Sequence, residues 1–152
     1  MGVDHHALID RLTAALSRSD WSTLSEVFAP DARMEFPQSG EAFEGIDNIR
    51  GQFADYPDMF DNPVSTLDIA AEEQTFALSP NYTVISVGGS GKSATATMRT
   101  RYPDGSLWWV LVVYDTDGEL IKRAKVYFAP EFEPAEWRSK YRVPSDRDGA
   151  SG

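Results

Sequence analysis

Three features of the 152-residue chain predict an α+β domain. Apolar residues recur at helical spacing in the first half, they alternate with a period of two in the second, and turn signals such as Pro103-Asp104-Gly105 and Thr116-Asp117-Gly118 punctuate that second half. Helices first and hairpin-linked strands afterwards describe a curved sheet wrapped over a small helical layer.

The first helix runs from Asp4 to Ser19, because Leu8, Ile9, Leu12, Ala15 and Leu16 share one side and Asp4 can cap its start. Asp20 then caps a short second helix with Trp21, Leu24, Val27 and Phe28 on one side, stopped by Ala29-Pro30. Ala32 to Phe36 reads as a strand ended by Pro37, and Ile46, Ile49, Phe53 and Tyr56 mark a third helix closed by Pro57. Strand signals follow over 64–78, Tyr82–Val87, Ser93–Tyr102, Ser106–Asp115 and Glu119–Ala129, the last of them hairpin-linked. Phe132 to Tyr141 can form a terminal helix, and the Ser-, Asp- and Gly-rich end after Val143 reads as a mobile tail. One domain over 1–143 and a tail over 144–152 are expected.

Eight phenylalanines, six tyrosines and four tryptophans suffice to fill a core and still line a pocket. With 14 Lys plus Arg against 24 Asp plus Glu, the net charge of −10 repels phosphate backbones and anionic lipid, so neither nucleic acid nor membrane is an expected partner. The absence of cysteine excludes disulfides, thiolate metal sites and Cys nucleophiles. The opening Met1-Gly2-Val3-Asp4-His5-His6 has no basic or apolar leader region, and a cytoplasmic location is expected.

Three short motifs resolve into ordinary structure. Gly88-Gly89-Ser90-Gly91-Lys92-Ser93 ends like a phosphate-binding loop, but Ser86 stands where a Gly is needed and a strand pattern follows, so a hairpin loop is expected. Asp4-His5-His6 has no further histidine to complete a metal site, and Asp115-Thr116-Asp117-Gly118 lacks the later Glu of a calcium loop. No metal is expected.

Leu107-Trp108-Trp109-Val110-Leu111-Val112-Val113 is apolar on both faces, although antiparallel strands usually wet one of them. One face must meet the helices or a cavity, and the other a second subunit or the folded-back C-terminal segment. The following strand divides into Leu120, Lys122, Ala124, Val126, Phe128 and Ile121, Arg123, Lys125, Tyr127, Ala129. If the second set faces inward, two cations and a phenol suit an anionic or enolic ligand; otherwise they form a solvated face. Glu35 poses the same choice, between a pocket acid of raised pKa and an exposed strand residue.

Val27 to Pro37 with its preceding Asp20-Trp21 turn, Phe43-Glu44-Gly45-Ile46-Asp47-Asn48-Ile49, and the ending Tyr114 to Ile121 followed by Tyr127-Phe128-Ala129-Pro130 resemble the SnoaL-like branch of the nuclear transport factor 2-like superfamily. The likeness spans about Leu8 to Arg142. It implies a cone-shaped α+β barrel with an apolar pocket between helices and sheet, dimerising through the outer sheet face. Phe36, Leu12 and Val110 fall where ketosteroid isomerases carry catalytic Asp, Tyr and Asp, so that chemistry is not implied. Comparison with epoxide hydrolases places Glu35 at their catalytic Asn and Ala129 at an inward acid position, which turns Arg123, Lys125 and Tyr127 inward. The first strand then lines the pocket with either Glu35 or the Met34/Phe36 pair.

The expected site has Glu35, Tyr127 and Lys125 as the catalytic group, with Trp108, Val110, Val112, Tyr114, Arg123, Phe36 and Tyr56 around the substrate. The expected function is a cofactor-free acid–base enzyme of isomerase, dehydratase or cyclase type acting on a hydrophobic or aromatic small molecule, as a homodimer. A non-catalytic ligand-binding dimer, an epoxide-hydrolase-like hydrolase and a protein-interaction module are the rivals.

Overall fold

In the computed structural model, which describes residues 3–55, 82–101 and 106–144, Asp4 opens the first helix by accepting the Ala7 N–H at 3.0 Å. Helix α1 (His5–Ser17) buries Leu8, Ile9, Leu12, Ala15 and Leu16, the stripe visible in the sequence. The expected second helix is a single 3-10 segment over Trp21–Glu26. Its continuation is claimed by the sheet, because the Val27 carbonyl accepts the Ile121 N–H and Phe28 already pairs with Ile121.

Strand β1 therefore runs Phe28–Phe36, starting earlier than expected, and Pro30 lies in it where its register against β6 is irregular, between Phe28 and Arg33. A short strand β2 (Glu41–Glu44) pairs antiparallel with it; with Phe43 as its only large apolar residue it carried no alternation to read. Gly45 follows at φ 86°, a left-handed conformation suited to glycine, and returns its N–H to Ala32 O. Helix α2 (Ile46–Ala54) buries Ile49 and stacks Phe53 on Trp21, ring centroids 6.4 Å apart.

Strands β3 (Tyr82–Ser90), β4 (Ser93–Arg101), β5 (Leu107–Asp117) and β6 (Leu120–Pro130) form the antiparallel meander. Gly91-Lys92 is a two-residue turn between the paired Ser90 and Ser93, so the glycine-rich segment is a hairpin. Among the described residues six strands order as β2-β1-β6-β5-β4-β3, with β1 parallel to β6 and every other pair antiparallel, in a curved, unclosed mixed sheet. A second 3-10 segment, Glu136–Tyr141, stands in place of the expected terminal helix. The signals over 64–78, the Pro103-Asp104-Gly105 turn, the tail beyond Pro144 and Tyr56 lie outside the described residues. Among the described residues no helix is long and apolar enough to cross a membrane.

Candidate functional site

Cross-strand pairs share a face, so the ladder fixes which residues meet the helices. On β5 the inward set is Trp108, Val110, Val112 and Tyr114, with Val110, Val112 and Tyr114 buried and Trp108 half-buried. Their partners on β6 are Pro130, Phe128, Val126 and Ala124. Trp109, Leu111 and Val113 are outward, opposite Ala129, Tyr127 and Lys125.

The expectation that Arg123, Lys125, Tyr127 and Ala129 face inward is overturned by one inserted residue. Near the turn Asp117 pairs with Leu120 and Thr116 with Ile121, but beyond it Asp115 pairs with Arg123 and Tyr114 with Ala124. Lys122 is the extra residue of a β-bulge, and a one-residue slip exchanges the faces of everything that follows. Without it Val110 would face Tyr127, and Val112 would face Lys125. With it, Arg123 and Lys125 are exposed and Tyr127 is half-buried on the outer face. The signal was present, since Ile121, Ala124, Val126 and Phe128 are spaced by three and then by two.

The same ladder settles β1. Met34 pairs with Ala124 and Phe43, on the inner face, while Glu35 pairs with Lys125 on the outer one. Phe36 is therefore inward with Met34, which leaves Glu35 on the other face and not a pocket acid. The Arg33 guanidinium donates to Glu35 at 2.8 Å and also contacts Glu44. That hydrogen bond, opposed in part by burial and helped by the charges of Arg33, Lys125 and Arg123, holds the Glu35 carboxyl below its ordinary range. Glu35, Lys125 and Tyr127 do come together on one face, but it is the face away from the helices.

What remains inward and half-buried is a row of aromatic rings across four strands: Trp108 on β5, Phe128 on β6, Phe36 on β1 and Phe43 on β2. Phe36 meets Phe43 and Phe128 edge-on, each at 5.1 Å between centroids. Gln38 fixes this row from the turn after β1, donating to the Phe128 carbonyl at 2.7 Å and accepting the Phe128 N–H at 2.6 Å. Gln52 on α2 reaches the same inner face, its amide 3.8 Å from the Met34 sulfur. Trp108 donates its indole N–H to Ser106 Oγ at 2.9 Å. Neither Gln38 nor Gln52 was singled out by the sequence, because a lone amide carries no spacing motif.

At the other end of the inner face the interior is closed. His5 and Tyr114 are both buried, with His5 Nδ1 3.0 Å from the Tyr114 hydroxyl and His5 Nε2 3.0 Å from the Gly91 carbonyl. A carbonyl only accepts, so in the neutral imidazole Nε2 carries the proton and Nδ1 accepts the Tyr114 O–H. Burial pushes the Tyr114 phenol up to about 12. Tyr114, Val110 and Val112 thus pack the core, whereas the aromatic row is only half-buried. Among the described residues no Asp or Glu is buried, and no group of His, Asp and Glu could hold a metal.

A family model described as SnoaL-like domain matches residues 9–123. In structure the chain is similar to an NTF-2 like protein of unknown function from Burkholderia xenovorans LB400, at a TM-score of 0.70 and 17% identity, covering 91% of this chain and 93% of that one. It is similar also to a candidate ketosteroid isomerase from Kribbella flavida DSM 17836, at 0.69 and 20%, covering 95% and 93%. An LEH-like epoxide hydrolase of M. tuberculosis aligns at 0.55 and 13%, covering 82% and 81%. No curated protein matches the chain in sequence.

Proposed function

The chain belongs to the SnoaL-like domain family, and from that premise we propose that it binds a hydrophobic or aromatic small molecule against the helix-facing side of its sheet. The observation that carries this reading is the half-buried row Trp108, Phe128, Phe36 and Phe43, held in place by the Gln38 amide. Rings that offer faces and edges suit a flat apolar body, and the Gln52 amide offers one polar contact to a ligand handle. Outward, Leu111, Val113 and Tyr127 form an apolar stripe between Glu35, Lys125, Arg123 and Asp115, a pattern of mixed charge that suits a second copy related by a twofold axis.

Cofactor-free acid–base turnover of isomerase, dehydratase or cyclase type is the second reading, and similarity to a candidate ketosteroid isomerase and to an epoxide hydrolase favours it. It requires a proton carrier at the aromatic row. Glu35 and Lys125 sit on the outer face, and His5 has both ring nitrogens engaged in the core. Among the described residues, binding is therefore the better supported of the two.

The test is mass spectrometry of small molecules released by denaturing the pure protein, followed by rebinding to wild type and to Phe36→Ala/Phe128→Ala. An apolar compound that returns to wild type and not to the variant supports the reading. Equal rebinding to both, or no compound and no affinity for any member of a panel of polycyclic and terpenoid ligands, would sink it. Conversion of the compound during rebinding would favour the enzyme.

A further inference from the structure

On the outer face, beyond the apolar stripe, the chain after β6 turns back beside Trp109 and encloses a cleft of about 840 Å³, within the range of small-molecule sites. We propose that this cleft binds an amphipathic organic carboxylate, with its apolar body on Trp109 and its carboxylate held by Arg138 and Arg142. The site is separate from the aromatic row, and the proposal stands independently of the inner-face reading.

The walls are apolar where a ligand body would lie: Trp109, Ala129 and Pro130 from the sheet, Pro134 and Val143 from the returning segment. The sheet side is held firmly. The Glu131 N–H donates to the Leu107 carbonyl at 3.0 Å, extending the β5–β6 ladder past the end of β6. Glu131 then accepts from Arg99 at 2.8 Å, an ion pair whose side chains are only 7% and 13% exposed, and the Arg99 guanidinium lies 5.6 Å over the Trp109 ring. The sheet wall of the cleft is thus preformed, which lowers the ordering cost of binding on that side.

Charge selects the ligand. The chain carries a net charge of −10, yet the lining holds two arginines and a single carboxylate, Glu131, which Arg99 already occupies. Among the described residues Arg138 and Arg142 form no ion pair, and Arg138 stacks on Trp137 at 5.3 Å. Two guanidinium groups beside an apolar floor recognise a carboxylate through bidentate hydrogen bonds while the prolines and the indole cover the rest of the molecule.

The probes are 1-naphthylacetate and its neutral amide, titrated calorimetrically into the full chain. The acid should bind on the order of tenfold more tightly than the amide, and Arg138→Gln/Arg142→Gln should bring it down to the level of the amide while leaving the amide unchanged. Both arginines are exposed, so an unchanged melting temperature is expected and separates lost binding from lost folding. Phe36→Ala/Phe128→Ala should leave the acid's affinity intact; a loss there would move the acid to the inner face and overturn the proposal. Equal binding of acid and amide to wild type, binding of neither, or full retention of the acid by the double arginine variant would overturn it as well.

Discussion

His5 and Tyr114, 109 residues apart in sequence, share a 3.0 Å hydrogen bond in the core, and through it the first turn of α1 is joined to the middle of the sheet. The second imidazole nitrogen holds the β3–β4 turn at Gly91, so one side chain ties three parts of the fold. Tyr114→Phe keeps the ring and leaves His5 Nδ1 buried without its donor. A loss of about 1–3 kcal/mol is expected in urea unfolding. No loss would mean that the imidazole reorients at no cost.

The same phenol gives an alkaline signature. Its pKa in the fold, about 12, is above that of an exposed tyrosine, so its contribution to stability is fully present below about pH 10 and is lost as pH rises toward 12. Phenolate absorbance should show one tyrosine ionising late, together with unfolding, and Tyr114→Phe should remove that step. Titration of every tyrosine near pH 10 in the folded protein would contradict the burial.

The aromatic row should carry most of the affinity for an apolar ligand. Phe128→Ala and Trp108→Ala should each weaken binding by roughly 1–3 kcal/mol through lost apolar contact. Gln38→Ala should weaken it too, since that amide holds the Phe128 backbone at both its N–H and its carbonyl. Affinity that survives all three substitutions would place the ligand elsewhere.

Glu35→Gln is expected to leave ligand binding unchanged, because the side chain is on the outer face beside Arg33. A carboxyl whose pKa is lowered in the fold stabilises above the ordinary carboxylate range, and that stabilisation is lost as pH falls. Acid unfolding followed by circular dichroism should show wild type above the variant at neutral pH and the gap closing below about pH 4. A gap that widens on acidification, or a large loss of ligand affinity, would contradict the assignment.

Leu111→Lys tests the outer stripe. Leu111 is half-buried beside Val113, which is 43% exposed, and both lie away from the Trp109 cleft end of the strand. A charge there should convert a dimer to a monomer at unchanged melting temperature, as read by sedimentation. A wild-type monomer at micromolar concentration would remove the dimer.

The sequence alone determined the fold class, helix α1 with its cap, the hairpin at Gly91-Lys92 and the meander, because each follows from a local period or a turn residue. The resemblance of Val27–Pro37, Phe43–Ile49, Tyr114–Ile121 and Tyr127–Pro130 to SnoaL-like proteins agrees with the family whose model matches residues 9–123. Other features were set by partners distant in the chain. The 3-10 segment gives way at Val27 because Ile121 takes its carbonyl, and β2 exists because β1 offers an edge to pair with. The site depended on tertiary structure most of all. Alternation separates a strand into two sets but does not say which set is inward, and the bulge at Lys122 reverses that assignment for Arg123, Lys125 and Tyr127 at once. Only the pairing of β6 with β1 and β5 decided that aromatic rings, and not the Glu35, Lys125 and Tyr127 group, face the helices.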